Sequence, residues 1–136
     1  MASYNKFQPF VEAVAEKKHN LGSDTLKVAL TNTAPTADND VLTDLTEIDY
    51  TYCSDRALTI SSSAQTSGTY KLVIADKTIS ASGGAVGPFR YVVIYNDTAT
   101  NDDLICWFDY GSSITLADGE SIVLDFDDSN GLLTIA

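Results

Sequence analysis

Few side chains in this sequence are of a type that does chemistry, and their spacing limits what they can do. The only histidine is His19. An imidazole titrates near neutral pH and can act as acid, base or metal ligand. Nucleophilic catalysis would also need an activated hydroxyl or thiol and an orienting acid beside it. No nucleophile elbow or Ser, His and Asp pattern surrounds His19. In Lys17-Lys18-His19 the ring reads as surface positive charge at a helix C-terminus, where the macrodipole favours it. Cys53 and Cys106 lack metal-ligand spacing. Cys106, within Leu104-Ile105-Cys106-Trp107-Phe108, reads as a small buried hydrophobe, and Cys53, among polar residues, as a surface thiol. Two cysteines make no disulfide framework, and free thiols fit a chain made in a reducing cytoplasm.

The remaining motifs are equally sparse. Gly83, Gly84 and Gly87 form no phosphate loop, because no Lys-Ser or Lys-Thr follows and no helix begins there. The acidic run Asp125-Phe126-Asp127-Asp128-Ser129-Asn130-Gly131 has the oxygen ligands a hard cation wants. It fails the EF-hand spacing: Asn130 stands where Gly is needed and Ala136 where a Glu is needed. A solvated turn is the simpler reading, with a weak, irregular calcium site as its alternative. Carboxylates are abundant, but nothing singles out two of them for glycoside hydrolysis. The sequence therefore assigns no catalytic, cofactor-binding or metal-binding residue.

Aromatic residues and charge point toward binding. Tyr91, Tyr95, Trp107, Phe108 and Tyr110 cluster in neighbouring segments. They serve either as core or as a contact surface of hot-spot or sugar-platform type. Asp and Glu number 19 against 8 Lys and Arg, a net charge of −11, and no Lys or Arg follows Arg90. Such a surface repels phosphate backbones, which excludes ordinary nucleic-acid binding. No apolar run approaches the length of a membrane span, and no secretory signal is recognisable at the N-terminus.

The elements that would position these residues are mostly strands. Length alone, 136 residues, predicts a single domain over 1–136, with an N-terminal arm and helix over 1–22 and sheet over 25–136. Phe7, Phe10, Val11 and Val14 recur with helical period and predict a helix starting near Gln8, with Pro9 in its first turn and Gly22 as its stop. From Leu26 the period becomes two. Asn32–Asp40 reads as a loop, and Val41–Ile48 is ambiguous between a helical turn and coil. Strands are predicted near Ala57–Ser63, Thr69–Asp76 with Lys77–Ala81 as its extension, Phe89–Tyr95, Leu104–Tyr110, Ile114–Leu116, Ser121–Asp127 and Leu132–Ile135. Asp118-Gly119 and Asn130-Gly131 are hairpin signals. The expected fold is mainly β: an antiparallel β-sandwich or jelly roll of about eight strands with one N-terminal α-helix. Phe89–Tyr95 is apolar on both faces, so a second cover is expected, either the N-terminal helix or another chain.

Several stretches resemble small structural proteins of tailed-bacteriophage virions, of the head decoration or cement type. They are Ala2-Ser3-Tyr4-Asn5-Lys6-Phe7, Lys27-Val28-Ala29-Leu30-Thr31-Asn32-Thr33-Ala34-Pro35, Gln65-Thr66-Ser67-Gly68-Thr69, Gly87–Asp97 with Leu104–Gly111, and Asp125–Ala136. The chain departs from the pattern at Asp49–Ser62, where Asp49-Tyr50-Thr51-Tyr52-Cys53-Ser54-Asp55 replaces a Gly-rich turn, so that loop's conformation does not carry over. The resemblance implies a non-enzymatic protein with no cofactor, located on the capsid exterior. Its implied partners are the major capsid protein and further copies of itself, with no nucleic acid and no membrane. A tail or tail-fibre component, in contact with tail proteins or a host glycan, is the alternative, and an enzyme such as a depolymerase is the third class. The arm Met1–Lys6 and the loops Asn32–Asp40 and Asp49–Asp55 are the expected contact segments, since connections carry binding on rigid β scaffolds.

Overall fold

A computed structural model describes residues 2–136. The elements run β1 (Ser3–Lys6), α1 (Pro9–Ala15), β2 (Leu26–Thr31), β3 (Ile60–Thr66), β4 (Thr69–Ile74), β5 (Lys77–Ser80), β6 (Val86–Asn96), β7 (Leu104–Leu116), β8 (Ser121–Leu124) and β9 (Leu133–Ile135), with a single 3-10 turn at Leu42–Asp44. All pairings are antiparallel and form three sheets, ordered β1-β7-β6-β2, β3-β4-β9 and β5-β8. The fold is therefore mainly β with one helix, in a sandwich-like arrangement. Leu72, Ile74, Ile79, Leu124 and Leu132 of the small sheets and their flanks share one hydrophobic cluster with Phe7, Val28, Ile94 and Cys106 of the large-sheet side.

The register explains why β6 is apolar throughout. Val28, Ile94 and Cys106 stand side by side across the large sheet, and Ala29, Val93 and Trp107 form the next row. Adjacent rows point to opposite faces. Val28, Ile94, Cys106, Ala29 and Val93 are all fully buried, so both faces are covered. The small sheets and the chain's own loop from Asn32 to Ile48 both pack into the shared core. That loop leaves β2, bonds Gln8 N–H to Ala37 O (2.7 Å) and Leu104 N–H to Asp40 O (2.9 Å) on the far side, and returns to bond Ile48 N–H to Leu30 O (3.0 Å). It brings Leu42, Leu45 and Ile48 against the core. Helix α1 packs there too: it lies against β7, and its Phe10 belongs to the same core, as its apolar period led one to expect.

Five other expectations are corrected. Ser3–Lys6 is not a free arm: it is an edge strand on β7, so sheet begins before residue 25. The helix is shorter than its apolar period implied. It ends at Ala15, and Lys17, not Gly22, takes the left-handed conformation (φ 67°). Lys18 N–H then reaches Ala13 O and Lys17 N–H reaches Val14 O, the paired bonds of a Schellman cap. Val11, placed on the buried stripe by its spacing, is 56% exposed, because Phe10 and Ala13 are the residues that face inward. The Asp-Gly and Asn-Gly pairs do form turns, with φ of 88° at Gly119 and 78° at Gly131, but not hairpins. Each carries the chain between sheets: β7 precedes β8, which pairs with β5, and β9 pairs with β4. The true two-residue hairpin is Ser67-Gly68, with φ of 50° and 86°, between β3 and β4. Lys77–Ser80 does not extend β4 but enters a separate sheet.

Candidate interaction surface

Each residue singled out by its chemistry has a structural place. Asp127 accepts bonds from Ser129 N–H, Asn130 N–H and the Asn130 amide, which hold its carboxyl below its ordinary range. The acidic run is thus a self-bonded turn, and no group of three or more His, Cys, Asp or Glu is arranged to hold a metal ion among the described residues. Gly83 and Gly84 lie under Tyr52: a Cβ on Gly84 would sit 2.5 Å from its ring. Cys106 is buried, its thiol pushed up by desolvation, and Cys53 is half-buried rather than exposed. Both cysteines are free.

The aromatic cluster is largely used in packing. Tyr95 is buried. Trp107 lies against Phe7 at 4.5 Å, and Phe108 lies between Tyr4 (5.4 Å) and Phe126 (5.9 Å). Arg90 lies 5.3 Å over Tyr91 and grips Asp109 through two bonds of 2.8 and 3.1 Å. That bidentate pair keeps the Asp109 carboxyl low. Tyr110 alone in this cluster is substantially exposed, so no flat aromatic platform forms. The expected contact loops are also tied down. Asn32 Oδ1 accepts from Ser113 Oγ, and Asp55 pairs with Lys77. Tyr50 Oη accepts from Leu30 N–H and donates to Glu47, beneath the Arg56 guanidinium at 3.7 Å.

His19 overturns its sequence reading. It lies beyond the helix, 9% exposed, beside Asn96 and against the Phe10 ring at 5.2 Å. Burial lowers its pKa, while nearby Asp103 and Asp24 oppose that shift. The helix dipole has no part in its placement.

One open feature of the surface is a groove of about 640 Å³ between β1, α1 and β9. Tyr4 and Lys6 line it from β1, Val11 and Val14 from α1, and Leu133 and Ile135 from β9. Tyr4 (44%), Val11 (56%) and Ile135 (42%) are three of the six large hydrophobic residues left exposed. Both flanking strands lie at sheet edges, where backbone N–H and C=O groups lack a neighbouring strand. Among the described residues, Lys6 is the only charged side chain lining the groove. Apolar walls and strand edges suit an extended segment of another protein. Sequence reasoning missed this surface because it assigned Val11 to the core and gave Ser3–Lys6 no pairing partner. The alternation in Tyr4-Asn5-Lys6 was the available signal, but it is too short to read as a strand.

Among the described residues, no helix is long and apolar enough to cross a membrane. Compared with protein families, with characterised proteins and with solved structures, the chain matches none.

Proposed function

We propose that this chain is a non-enzymatic structural protein of a tailed-phage virion. In this reading it is a decoration or cement protein on the capsid exterior that binds between major capsid protein subunits and packs beside its own copies. The observation that carries the binding role is the apolar groove bounded by two sheet edges, which offers backbone and side-chain contact to another protein. The resemblance in sequence supplies the virion, and the net charge of −11 favours a place away from packaged DNA. The mechanism is mass action. A protein that binds the assembled shell, and not its dissociated parts, stabilises the shell by about 2.7 kcal/mol per site at a hundredfold excess over Kd. Many modest contacts then resist internal pressure together.

Co-sedimentation with shells of major capsid protein tests this reading. Val11 is exposed, so Val11→Asp should leave the fold intact. Losing an apolar contact of this size costs about 1.5–3 kcal/mol, so the variant should bind tenfold more weakly or worse. Equal binding by parent and variant would remove the groove from the interface. Failure of the parent to bind shells would leave a tail or tail-fibre placement in its stead.

A further inference from the structure

The His19 site can be argued without reference to any partner. Asn96 is fully buried, and its amide orientation is fixed: Oδ1 accepts from Thr98 N–H (2.9 Å) and Ala99 N–H (3.2 Å). Its Nδ2 group is therefore the end that faces Asp24 Oδ2 (2.8 Å) and His19 Nδ1 (3.0 Å). An amide NH2 only donates, so His19 Nδ1 must accept, and the neutral ring carries its proton on Nε2. Nε2 is buried without a hydrogen-bond partner. Asp24 Oδ2 also accepts from Asn20 N–H (2.8 Å), and the Thr98 hydroxyl accepts from Thr25 N–H. One network, buried at its His19–Asn96 centre and reaching the surface at Asn20 and Thr98, thus ties the segment after α1 to the turn between β6 and β7.

We propose that His19 is an acid-sensitive latch, in which protonation at Nδ1 sets donor against donor at Asn96 and releases the 17–24 segment from the β6–β7 turn. Four groups govern the balance. Asp24 on the same connection and Asp103 at the start of the turn's return strand favour the cation. Lys18 opposes it, and burial, partly against the Phe10 ring, opposes it most. The folded-state pKa is therefore below the ordinary 6.5, and the unfolded chain binds the proton more readily. The latch's stability is complete above the ordinary value and is lost as the pH falls below it. Release would also loosen Phe10 and with it the helical wall of the groove.

Because His19 is the only histidine, its ring can be followed by NMR in the intact protein. The expected neutral form is the Nε2–H tautomer, titrating below the ordinary value. Amide exchange over residues 17–24 and 97–103 should quicken as the pH falls from 7 to 5. His19→Gln keeps an acceptor and cannot titrate, so it should show no such acceleration. An Nδ1–H tautomer, a raised pKa, or the same acid response in His19→Gln would overturn the latch. If His19→Gln fails to fold, the tautomer and titration of the parent protein still decide the matter.

Discussion

Tyr50 shows how one side chain can hold a long irregular segment in place. Its hydroxyl satisfies the N–H of fully buried Leu30 on β2, and Glu47 accepts its proton at 2.7 Å. Desolvation raises its pKa, so the phenol stays neutral and able to donate. Arg56 covers the ring and donates to Val28 O at 2.7 Å, joining both ends of the 47–56 loop to one strand. Tyr50→Phe leaves the ring but orphans the Leu30 N–H, which should cost about 1–3 kcal/mol by urea unfolding. A loss below 0.5 kcal/mol would mean that the loop is held by other contacts. The anchor was not legible in sequence, because Leu30 lies 20 residues away and contributes only its backbone N–H. The same blindness hid Asn96, whose amide turns His19 from an apparent surface residue into a buried one. Cys106 was legible because its apolar neighbours in the strand place it in the core by periodicity alone.

At the scale of elements, periodicity located the strands well and their partners poorly. Leu26–Thr31 and Thr69–Ile74 stand where the period of two put them, whereas β7 runs on through Ile114–Leu116, expected as a separate strand, and β8 stops at Leu124 with Phe126 buried beyond it. Turn chemistry gave the local reversal but not the destination: Gly119 and Gly131 have the left-handed conformation the dipeptides favour, yet each leads into a different sheet. Strand pairing is a long-range choice made by burial, which a dipeptide does not encode. The Lys17 cap shows the converse, a non-glycine residue held at positive φ at a cost of about 1–2 kcal/mol while the segment beyond it is anchored. Gly87 is the element-scale test. It stands at φ 120° in the bulged stretch of β6, and a Cβ there would lie 2.8 Å from Ile114 O on β7. Gly87→Ala should cost about 2–4 kcal/mol, from strain plus a backbone clash. Gly119→Ala, at φ 88° with open space around it, should lose only the strain, about 1–2 kcal/mol. Equal losses in thermal or urea unfolding would show that β7 gives way without cost.

For the whole molecule, residues on both faces of the large sheet are buried within the chain, and its β1 edge stays open. The loop over residues 32–48, helix α1 and the small sheets all join the core, while β1 and β9 leave an apolar groove between them. Cations are absent from the chain after Arg90, which leaves the second half of the molecule acidic. An acidic body with one apolar groove suits a protein that docks on a shell and stays clear of nucleic acid. Fold class was legible at this scale because composition and strand spacing set it. The groove was not, because it arises from elements brought together from opposite ends of the chain. The decisive measurement is a three-dimensional image of the virion proposed to carry this chain, at a resolution that shows strands. The expected result is density for the chain in many copies on the outside of the head, with the β1–α1–β9 groove against a major capsid subunit. Density confined to the tail, or no density in the virion, would contradict the proposed role.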